Sequence, residues 1–449
     1  MAIPTTLRKG FSFDEAILLA TFSQQAYEIF KHDDGCVDDR ELEEIYNAVH
    51  REQGWKFIHS LRNDETNIRG FIVKRRTEHQ YAVVLRGTIL SDRGMLEMTD
   101  IMSDVDWDMI PYGSMTDRRI KVAQGFFEAF SSIADQLEIF FKTLLGQLTL
   151  KDFNTIQQMT PARQFACITS LADAGAIRLG QEFGQKTGEI IGGIVADQEI
   201  GNDGELESAL AYLKEHLLCL EEMVVFPELY VTGHSLGGSL AFFAALALRR
   251  WFGIDLTLKT YTFGSAKVGN QAFADYYKRM MGKGFTYRVE NMVDSVPKIP
   301  LDPPFPLNIL APQGLRMGTF YIGSYVHVGE VHSMLDFGYQ KVSVDFGGAL
   351  EFFGAVPFSH SFDAYVQALE TDKKRWEDLW QPIENFIGRY FTELVQEQEV
   401  EMKAHSQKQF RKIQSDLDEL KAEVQALRQS LNGKVDSSVK VVASVGQPD

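Results

Sequence analysis

Apolar runs of two kinds alternate along most of the chain. Residues 11–30 carry apolar side chains along a helical pattern, and residues 71–74 and 81–85 are short β runs. Strand-like and helical segments then alternate to about residue 370. Because such alternation is typical of parallel sheets covered by helices, we predict an α/β fold with a mostly parallel central sheet flanked by helices.

Small residues recur at every fourth position inside a predicted helical insertion, which covers about residues 140–215. The series is Ala176, Gly180, Gly184, Gly188, Gly192 and Ala196. On a helix this spacing makes one ridge of small side chains. Each interior glycine costs a helix about 1 kcal/mol relative to alanine, so close backbone approach should compensate. We therefore predict a tightly packed helix pair, within one chain or across a dimer; an amphipathic insertion that touches lipid is the alternative.

The C-terminal region contains a heptad pattern. One core series is Phe410, Leu417, Val424 and Leu431, and the other is Ile413, Leu420 and Leu427. Asp416 with Lys421, and Glu423 with Arg428, are spaced for ion pairs between parallel helices. We predict a coiled-coil helix over residues 409–432 that joins copies of the chain through residues 410–431. A lone helix folded back on the domain is the alternative.

Composition narrows the possible partners and locations. The net charge of −17 argues against nucleic acid as the main partner. The three cysteines, Cys36, Cys167 and Cys219, cannot all pair, which favours a reducing compartment. Residues 1–10 lack the apolar core of a signal peptide, and no uninterrupted apolar run is long enough for a conventional transmembrane helix. We therefore predict a cytoplasmic location.

The strongest chemical motif is a Gly-x-Ser-x-Gly nucleophile elbow. Gly233, His234, Ser235 and Gly237 lie between a strand-like run at 228–232 and an apolar helical run at 239–248. Glycines on both sides of the serine allow the strand and the helix to approach closely. The helix N-terminus then offers N–H groups to a developing oxyanion. We predict Ser235 as a nucleophile.

A serine nucleophile needs a base and a carboxylate that orients the base. Asp294 follows a β run and is the first choice for the acid, with Asp302 as the fallback. The candidate bases are His360, His332 and His327. His327 lies inside a strand-like run at 325–329, whereas His360 precedes the last helical pattern of this region, so we favour His360. For the oxyanion hole, Thr88 after an early strand and Leu236 after the nucleophile are the predicted donors.

The chain resembles class 3 lipases, the fungal- and plant-type branch of the α/β hydrolases. The resemblance rests on motifs in the family's order between about residues 80 and 370: Arg86-Gly87-Thr88, Gly125-Phe126, 231–238, 261–265, Val268-Gly269-Asn270, 291–297, 325–329, and His360 with Tyr365. Three positions depart from the family pattern: Gln124 stands where histidine is usual, and Ala266-Lys267 where Pro-Arg is usual. The resemblance implies Ser235, Asp294 and His360 as the triad, with Thr88 and Leu236 as the oxyanion hole.

The resemblance also implies a lid, and together with the heptad pattern, which lies outside the resemblance, it gives a domain plan. A short amphipathic helix often covers the site in this family, and Met95, Met98 and Met102 have the spacing for one. Flexible methionine side chains suit varied acyl chains. The predicted plan is a lipase-like domain at residues 1–375, a helical connector at 376–408, the coiled coil at 409–432 and a flexible tail at 433–449.

The predicted activity is hydrolysis of carboxylic esters of lipids, in the manner of a triacylglycerol lipase, without a metal or other cofactor. The substrate alternatives are those of a phospholipase A1, a galactolipase, or a feruloyl or aryl esterase. A self-associating lipid-binding scaffold with a vestigial hydrolase is the alternative from another class. The expected partners are a lipid or other ester substrate, and peripheral contact with a lipid interface is a further possibility.

Overall fold

The fold is described from a computed structural model of the chain. The structure describes residues 9–30, 39–50, 54–76, 79–87, 106–113, 117–196, 203–218, 226–291, 294, 296–300, 315–317, 320–322, 325–334, 360, 364–375, 377–378 and 415–426. The chain divides into two compact units, Met1–Ala368 and Leu369–Asp449.

The first unit alternates strands and helices, as the sequence predicted. Its strands are β1 Trp55–Asn63, β2 Ile68–Arg75, β3 Gln80–Leu85, β4 Met109–Pro111, β5 Lys121–Ala123, β6 Glu228–His234, β7 Thr257–Phe263, β8 Thr286–Asn291, β9 Leu315–Met317, β10 Phe320–Ile322 and β11 Glu330–Met334. Its helices are α1 Phe13–Ile29, α2 Asp39–His50, α3 Gln124–Leu144, α4 Leu150–Gln157, α5 Pro161–Leu179, α6 Gln181–Ala196, α7 Asp203–Leu217, α8 Leu236–Phe252 and α9 Gln271–Met281, with a short 3₁₀ turn at Val296–Lys298. Residues 364–375 are also helical.

Seven strands form one central sheet in the order β1-β2-β3-β6-β7-β8-β11. The β1–β2 and β2–β3 pairs are antiparallel, whereas β3–β6, β6–β7, β7–β8 and β8–β11 are parallel. The predicted α/β class with a mostly parallel sheet is confirmed. Parallel pairing matters for the site because it brings the carboxyl ends of β3, β6, β7 and β8 to the same edge of the sheet.

Strand β6 shows how the two faces of the sheet are covered. Leu229 and Val231 lie in the core that also contains buried side chains of α3 and α8. Tyr230 points to the opposite face and donates its hydroxyl to Glu15 of α1 at 3.0 Å. The Oγ1 of Thr232 is 3.2 Å from the Oγ of Ser23, also on α1. Because side chains alternate along a strand, one face of the sheet packs on α3 and α8 and the other on α1.

Helix α1 is fixed to its face of the sheet by a buried ion pair. Glu15 pairs with Lys259 of β7, and both side chains are about 1% exposed. The same carboxylate accepts hydrogen bonds from Tyr230 and, at 2.7 Å, from Tyr261. Buried charges that are paired and hydrogen-bonded in this way specify a single docking position, because any other position leaves a charge unpaired.

The five helices α3 to α7 lie between β5 and β6 in the sequence, and they build a second core. Its buried side chains include Ile139, Phe153, Ile168, Leu171 and Leu210. This core accounts for the high apolar content of the helical insertion without requiring contact with lipid.

The glycine ridge does not lie on one helix. Gly180 has a φ of 92° and ends α5, so the series is divided between α5 and α6. A side chain on Gly184 would meet the Cβ of Ala176 at 3.0 Å, which confirms close packing of a helix pair at that position. A Cβ added to Gly188 or Gly192 would meet no atom of another helix within 4 Å among the described residues. The predicted single ridge is therefore wrong, because the positive φ of Gly180 ends α5 and divides the series between two helices.

The second unit is described over residues 369–375, 377–378 and 415–426. Residues 415–426 are helical, and the seam positions Leu417 and Val424 are half-buried while Leu420 is 40% exposed. The other predicted seam positions, Phe410, Ile413, Leu427 and Leu431, lie outside the described residues, as does the tail at 433–449.

In the part of the chain that the structure describes, no helix has the length and hydropathy needed to cross a membrane. Of the three cysteines, Cys167 is described; it is buried and free, and burial raises the pKa of its thiol to about 12.

Candidate active site

Ser235 occupies the sharp bend between β6 and α8. Its φ of 57° and ψ of −126° lie outside the ordinary regions for a residue with a side chain. Such strain persists only where the surrounding structure enforces it, and it concentrates at functional sites. The bend places Ser235 at the carboxyl end of a parallel strand and immediately before the N-terminus of a 17-residue helix.

The glycines of the elbow leave no room for side chains. A Cβ on Gly233 would lie 2.4 Å from the backbone of Gly237, and a Cβ on Gly237 would lie 2.1 Å from the carbonyl oxygen of Leu85. Strand β6, helix α8 and the end of β3 therefore meet backbone against backbone, and larger residues at Gly233 or Gly237 would force them apart.

The carboxylate of Asp294 lies beyond the end of β8 and is fully buried. Its Oδ2 accepts a hydrogen bond from Nδ1 of His360 at 2.6 Å and another from the hydroxyl of Tyr365 at 2.6 Å. Its Oδ1 accepts from the backbone N–H of Val296 at 2.9 Å. Three donors thus converge on one carboxylate, and the bond from Nδ1 fixes the orientation of the His360 ring.

One ring nitrogen of His360 is not used in its hydrogen bond to Asp294. Its Nδ1–H is committed to Asp294, so Nε2 is the nitrogen that can accept a proton. Nε2 is buried and has no hydrogen-bond partner among the described residues. The His360 ring lies against that of His234, the residue before Ser235, with ring centroids 4.4 Å apart. The structure therefore brings an imidazole with an unoccupied ring nitrogen against the residue that precedes the strained serine.

Gly264 leaves the space in which Asp294, His360 and Tyr365 meet. Gly264, at the end of β7, has a φ of 57°, and a Cβ there would lie 2.9 Å from each of Asp294 Oδ2, His360 Cε1 and the Tyr365 hydroxyl. The backbone of β7 thus forms one wall of the Asp294–His360 pair.

The sequence places Tyr365 in a motif with His360 but indicates no role for it. Its hydroxyl donates to Asp294 and accepts from the backbone N–H of Asn291 at 3.3 Å. Burial, and then the neighbouring carboxylate of Asp294, raise the pKa of Tyr365 well above its usual value, so it remains a donor. The motif placed Tyr365 near His360, but its hydrogen bond to Asp294 depends on how the two segments meet in space.

The alternative histidines have other neighbours. Nε2 of His327 faces Glu290 at 3.7 Å, and burial followed by the charges of Arg288 and Lys267 lowers the pKa of His327 well below its usual value. His332 stacks on Phe11 with ring centroids 4.0 Å apart, and burial lowers its pKa to about 4. Neither histidine is hydrogen-bonded to Asp294, which leaves His360 as the better candidate.

The run at 325–329 was interpreted as strand-like, and the structure corrects this. Val326 makes only an isolated bridge to Gly269, and the strand β11 begins at Glu330. Gly329 has a φ of 82°, which is incompatible with an extended strand at that point.

Several predicted site residues lie outside the described residues: the oxyanion donor Thr88, the fallback acid Asp302, and the lid positions Met95, Met98 and Met102. Leu236, the other predicted oxyanion donor, is the first residue of α8, where backbone N–H groups lack helical partners.

A second Ser-His-Asp cluster joins the helical insertion to β1. His59 Nδ1 lies 2.7 Å from Asp173 and its Nε2 lies 2.8 Å from the Oγ of Ser170. Ser170 is fully buried inside α5 and donates to the carbonyl of Ala166 at 3.0 Å. Without a bend or a helix N-terminus beside it, this serine has no oxyanion donors, so we assign the cluster to structure rather than to catalysis.

A strained serine at a strand–helix bend, with a buried Asp–His pair at the same end of a mostly parallel sheet, defines an α/β hydrolase. Residues 194–303 match the family model for lipase (class 3). This range contains the elbow and Asp294, and the family it matches is the one that the motifs predicted.

Individual proteins are similar over parts of the chain. The chain is 36% identical over 119 residues to secreted mono- and diacylglycerol lipase 1 of Fusarium solani, which covers 26% of this chain and 33% of that protein. The chain thus spans about a third of the length of this curated relative.

Solved structures are similar over longer stretches at lower identity. The Rhizomucor miehei lipase propeptide complex has a TM-score of 0.39 and 18% identity, covering 75% of this chain and 74% of that chain. A triacylglycerol lipase from Penicillium expansum has a TM-score of 0.37 and 17% identity, covering 73% of this chain and 82% of that one.

The comparison also corrects the predicted location. A cytoplasmic location was inferred from the first ten residues and the few cysteines, but the curated relative from Fusarium solani is named as a secreted lipase. The cytoplasmic prediction is contradicted by that relative.

Proposed function

We propose that this chain hydrolyses carboxylic esters of lipids through an acyl-enzyme formed on Ser235. The observation that carries the proposal is the buried Asp294–His360 hydrogen bond of 2.6 Å beside a serine held at a positive φ. The class 3 lipase match over residues 194–303 supports the same chemistry.

In the first half of the proposed reaction, His360 Nε2 takes the proton of the Ser235 hydroxyl while Oγ attacks the ester carbonyl carbon. Asp294 stabilises the imidazolium that forms, because its carboxylate already accepts the Nδ1–H. The oxyanion faces the N-terminus of α8, where the N–H of Leu236 is the proposed donor, and Thr88 is the proposed second donor. His360 then gives its proton to the leaving alcohol as the C–O bond breaks.

In the second half, a water molecule attacks the acyl carbon, and His360 again accepts the proton. The acyl C–O bond to Ser235 breaks, the serine recovers its proton and the fatty acid leaves. Every proton is moved by His360, so this scheme needs no metal or cofactor.

The proposed substrates are acylglycerols. The family match and the name of the curated relative, a mono- and diacylglycerol lipase, favour glycerol esters over phospholipids, galactolipids and feruloyl or aryl esters. Met95, Met98 and Met102 are the proposed lid residues, and flexible methionines would fit acyl chains of different lengths.

A substrate panel tests this proposal. Purified protein is given monoacyl-, diacyl- and triacylglycerols, a phosphatidylcholine, a galactolipid and an aryl ester, each below and above its solubility limit. We expect the acylglycerols to be hydrolysed fastest, with a rise in rate once an emulsion forms. A flat response across the solubility limit would contradict the lid, and preferential release of fatty acid from phosphatidylcholine would favour the phospholipase A1 alternative.

Self-association through residues 410–431 stays a prediction, supported by the exposure of its described seam. Leu420 is 40% exposed in the helix at 415–426, and the apolar seam of a coiled coil is buried when a second helix packs on it. We expect a chain that ends at residue 405 to have a smaller oligomeric mass by light scattering and unchanged ester hydrolysis. An unchanged number of subunits in the truncated chain would contradict the coiled-coil role.

A further inference from the structure

His234, the residue between the glycine and the serine of the elbow, joins two parts of the molecule that are far apart in sequence. Its Nε2 lies 2.9 Å from the backbone carbonyl oxygen of His360. Its Nδ1 lies 3.1 Å from the hydroxyl of Tyr27, on α1. His234 is 4% exposed; its bond to His360 is buried, and its bond to Tyr27 is partly buried.

The direction of both hydrogen bonds follows from the partner at Nε2. A carbonyl oxygen can only accept, so the Nε2 of His234 must carry the proton and donate. Burial, and then the neighbouring His360, lower the pKa of His234 well below its usual value, so the ring is neutral and has one N–H only. Its Nδ1 is therefore an acceptor, and the hydroxyl of Tyr27 is the donor that satisfies it.

The oxygen of Tyr27 also reaches the end of β3. The backbone N–H of Gly87 hydrogen-bonds to this oxygen. A Cβ on Gly87 would lie 2.0 Å from it and 2.6 Å from the carbonyl oxygen of His234, so only glycine fits here. Gly87 directly precedes Thr88, the proposed oxyanion donor.

We propose that Tyr27 is a positioning residue for the triad. Through its bond to Nδ1, Tyr27 fixes the ring of His234 so that Nε2–H holds the backbone of His360. Through the backbone N–H of Gly87, Tyr27 also hydrogen-bonds to the end of β3, which leads to Thr88. This role rests on the proposed function, and it assigns the buried helix α1 a part in aligning the base.

Removing the Tyr27 hydroxyl tests the proposal. In Tyr27→Phe the Nδ1 of His234 loses the hydroxyl that donates to it, so the ring is held less firmly in its orientation. The loss of one hydrogen bond corresponds to about a tenfold lower kcat. We expect KM to stay the same, because the hydroxyl of Tyr27 is committed to His234. Tyr81→Phe is the matched control: Tyr81 is buried in β3 and its hydroxyl has no hydrogen-bond partner among the described residues, so kcat should be unchanged.

A second substitution separates positioning from general destabilisation. In His234→Gln, the side-chain Nε2 of the new residue can still donate to the His360 carbonyl. The position that Nδ1 occupied no longer holds an acceptor for Tyr27. In the His234→Gln background, Tyr27→Phe should therefore cost less than about twofold in kcat, against about tenfold in the wild-type background. An equal cost in both backgrounds would mean that Tyr27 acts independently of His234 and would overturn the proposal.

A measurement without substrate keeps the two proposals distinct. In an NMR spectrum of the full chain, the Nε2–H of His234, assigned by its loss in His234→Gln, should be protected from exchange with water. Protection should persist in Tyr81→Phe and disappear in Tyr27→Phe; persistence in Tyr27→Phe would contradict the positioning role. Should the wild-type protein hydrolyse none of the esters, the proposed function fails, while the exchange result still decides whether Tyr27 fixes His234.

Discussion

Replacing Ser235 with alanine is expected to lower kcat by about 10⁶-fold, because the proposed acyl-enzyme has no other nucleophile at the bend. The fold should be unaffected. Ser235 makes no side-chain capping bond to α8, and alanine meets the same backbone strain at a φ of 57° as serine does. Ester hydrolysis and stoichiometric labelling by a fluorophosphonate are the measurements, with thermal unfolding to verify that the variant is folded.

Ser239 supplies the matched control for Ser235. It lies four residues further along, inside α8, is fully buried, and accepts a hydrogen bond from the backbone of Ala266 at 3.1 Å. Ser239→Ala should lose about 1 kcal/mol of stability and keep both labelling and turnover. Labelling that survives in Ser235→Ala would mean that another residue is the nucleophile, and the proposed mechanism would be wrong.

Replacing Asp294 with asparagine is expected to lower kcat by about 10⁴-fold. All three groups around this carboxylate donate hydrogen bonds: the Nδ1 of His360, the hydroxyl of Tyr365 and the backbone N–H of Val296. The NH₂ of asparagine would face at least one of these donors. The His360 ring would then favour the tautomer with its proton on Nε2, which cannot accept the serine proton.

Two measurements check this second prediction: steady-state hydrolysis and the rate of fluorophosphonate labelling. Both require the base. Labelling reports the attack by Ser235 alone, because it does not include the later attack by water. Asp117→Asn is a suitable control, because Asp117 is paired with Arg119 at the surface and its loss should leave kcat unchanged. A turnover in Asp294→Asn within about tenfold of wild type would show that Asp294 does not orient the base.

Local patterns were sufficient for the parts of the molecule that depend on neighbours in sequence. The helix predicted at 11–30 is α1, Phe13–Ile29, and the β runs at 71–74 and 81–85 lie in β2 and β3. The elbow could be located for the same reason: strand, bend and helix are consecutive, and glycines at both ends of the bend are visible in the sequence. Family resemblance then gave the order of the acid and the base along the chain.

Two local interpretations failed where one glycine changed the backbone direction. The small-residue ridge is divided at Gly180, and the strand-like run at 325–329 gives way to a strand that begins at Glu330 after Gly329. Both glycines adopt positive φ values. Because glycine is compatible with either sign of φ, its presence in a periodic pattern does not reveal whether the pattern continues.

The sequence by itself determined the α/β alternation and the bend that carries Ser235, since both are encoded by residue type at short spacing, and its motifs gave Asp294 and His360 as candidates. Only the tertiary structure decided which histidine meets Asp294, that Tyr365 shares the same carboxylate, and that Tyr27 of the first helix supports His234. The physical reason is that a hydrogen bond requires two atoms within about 3 Å. For groups on separate segments, that distance is set by how the sheet orders its strands and how helices dock on it, and these depend on packing over the whole domain.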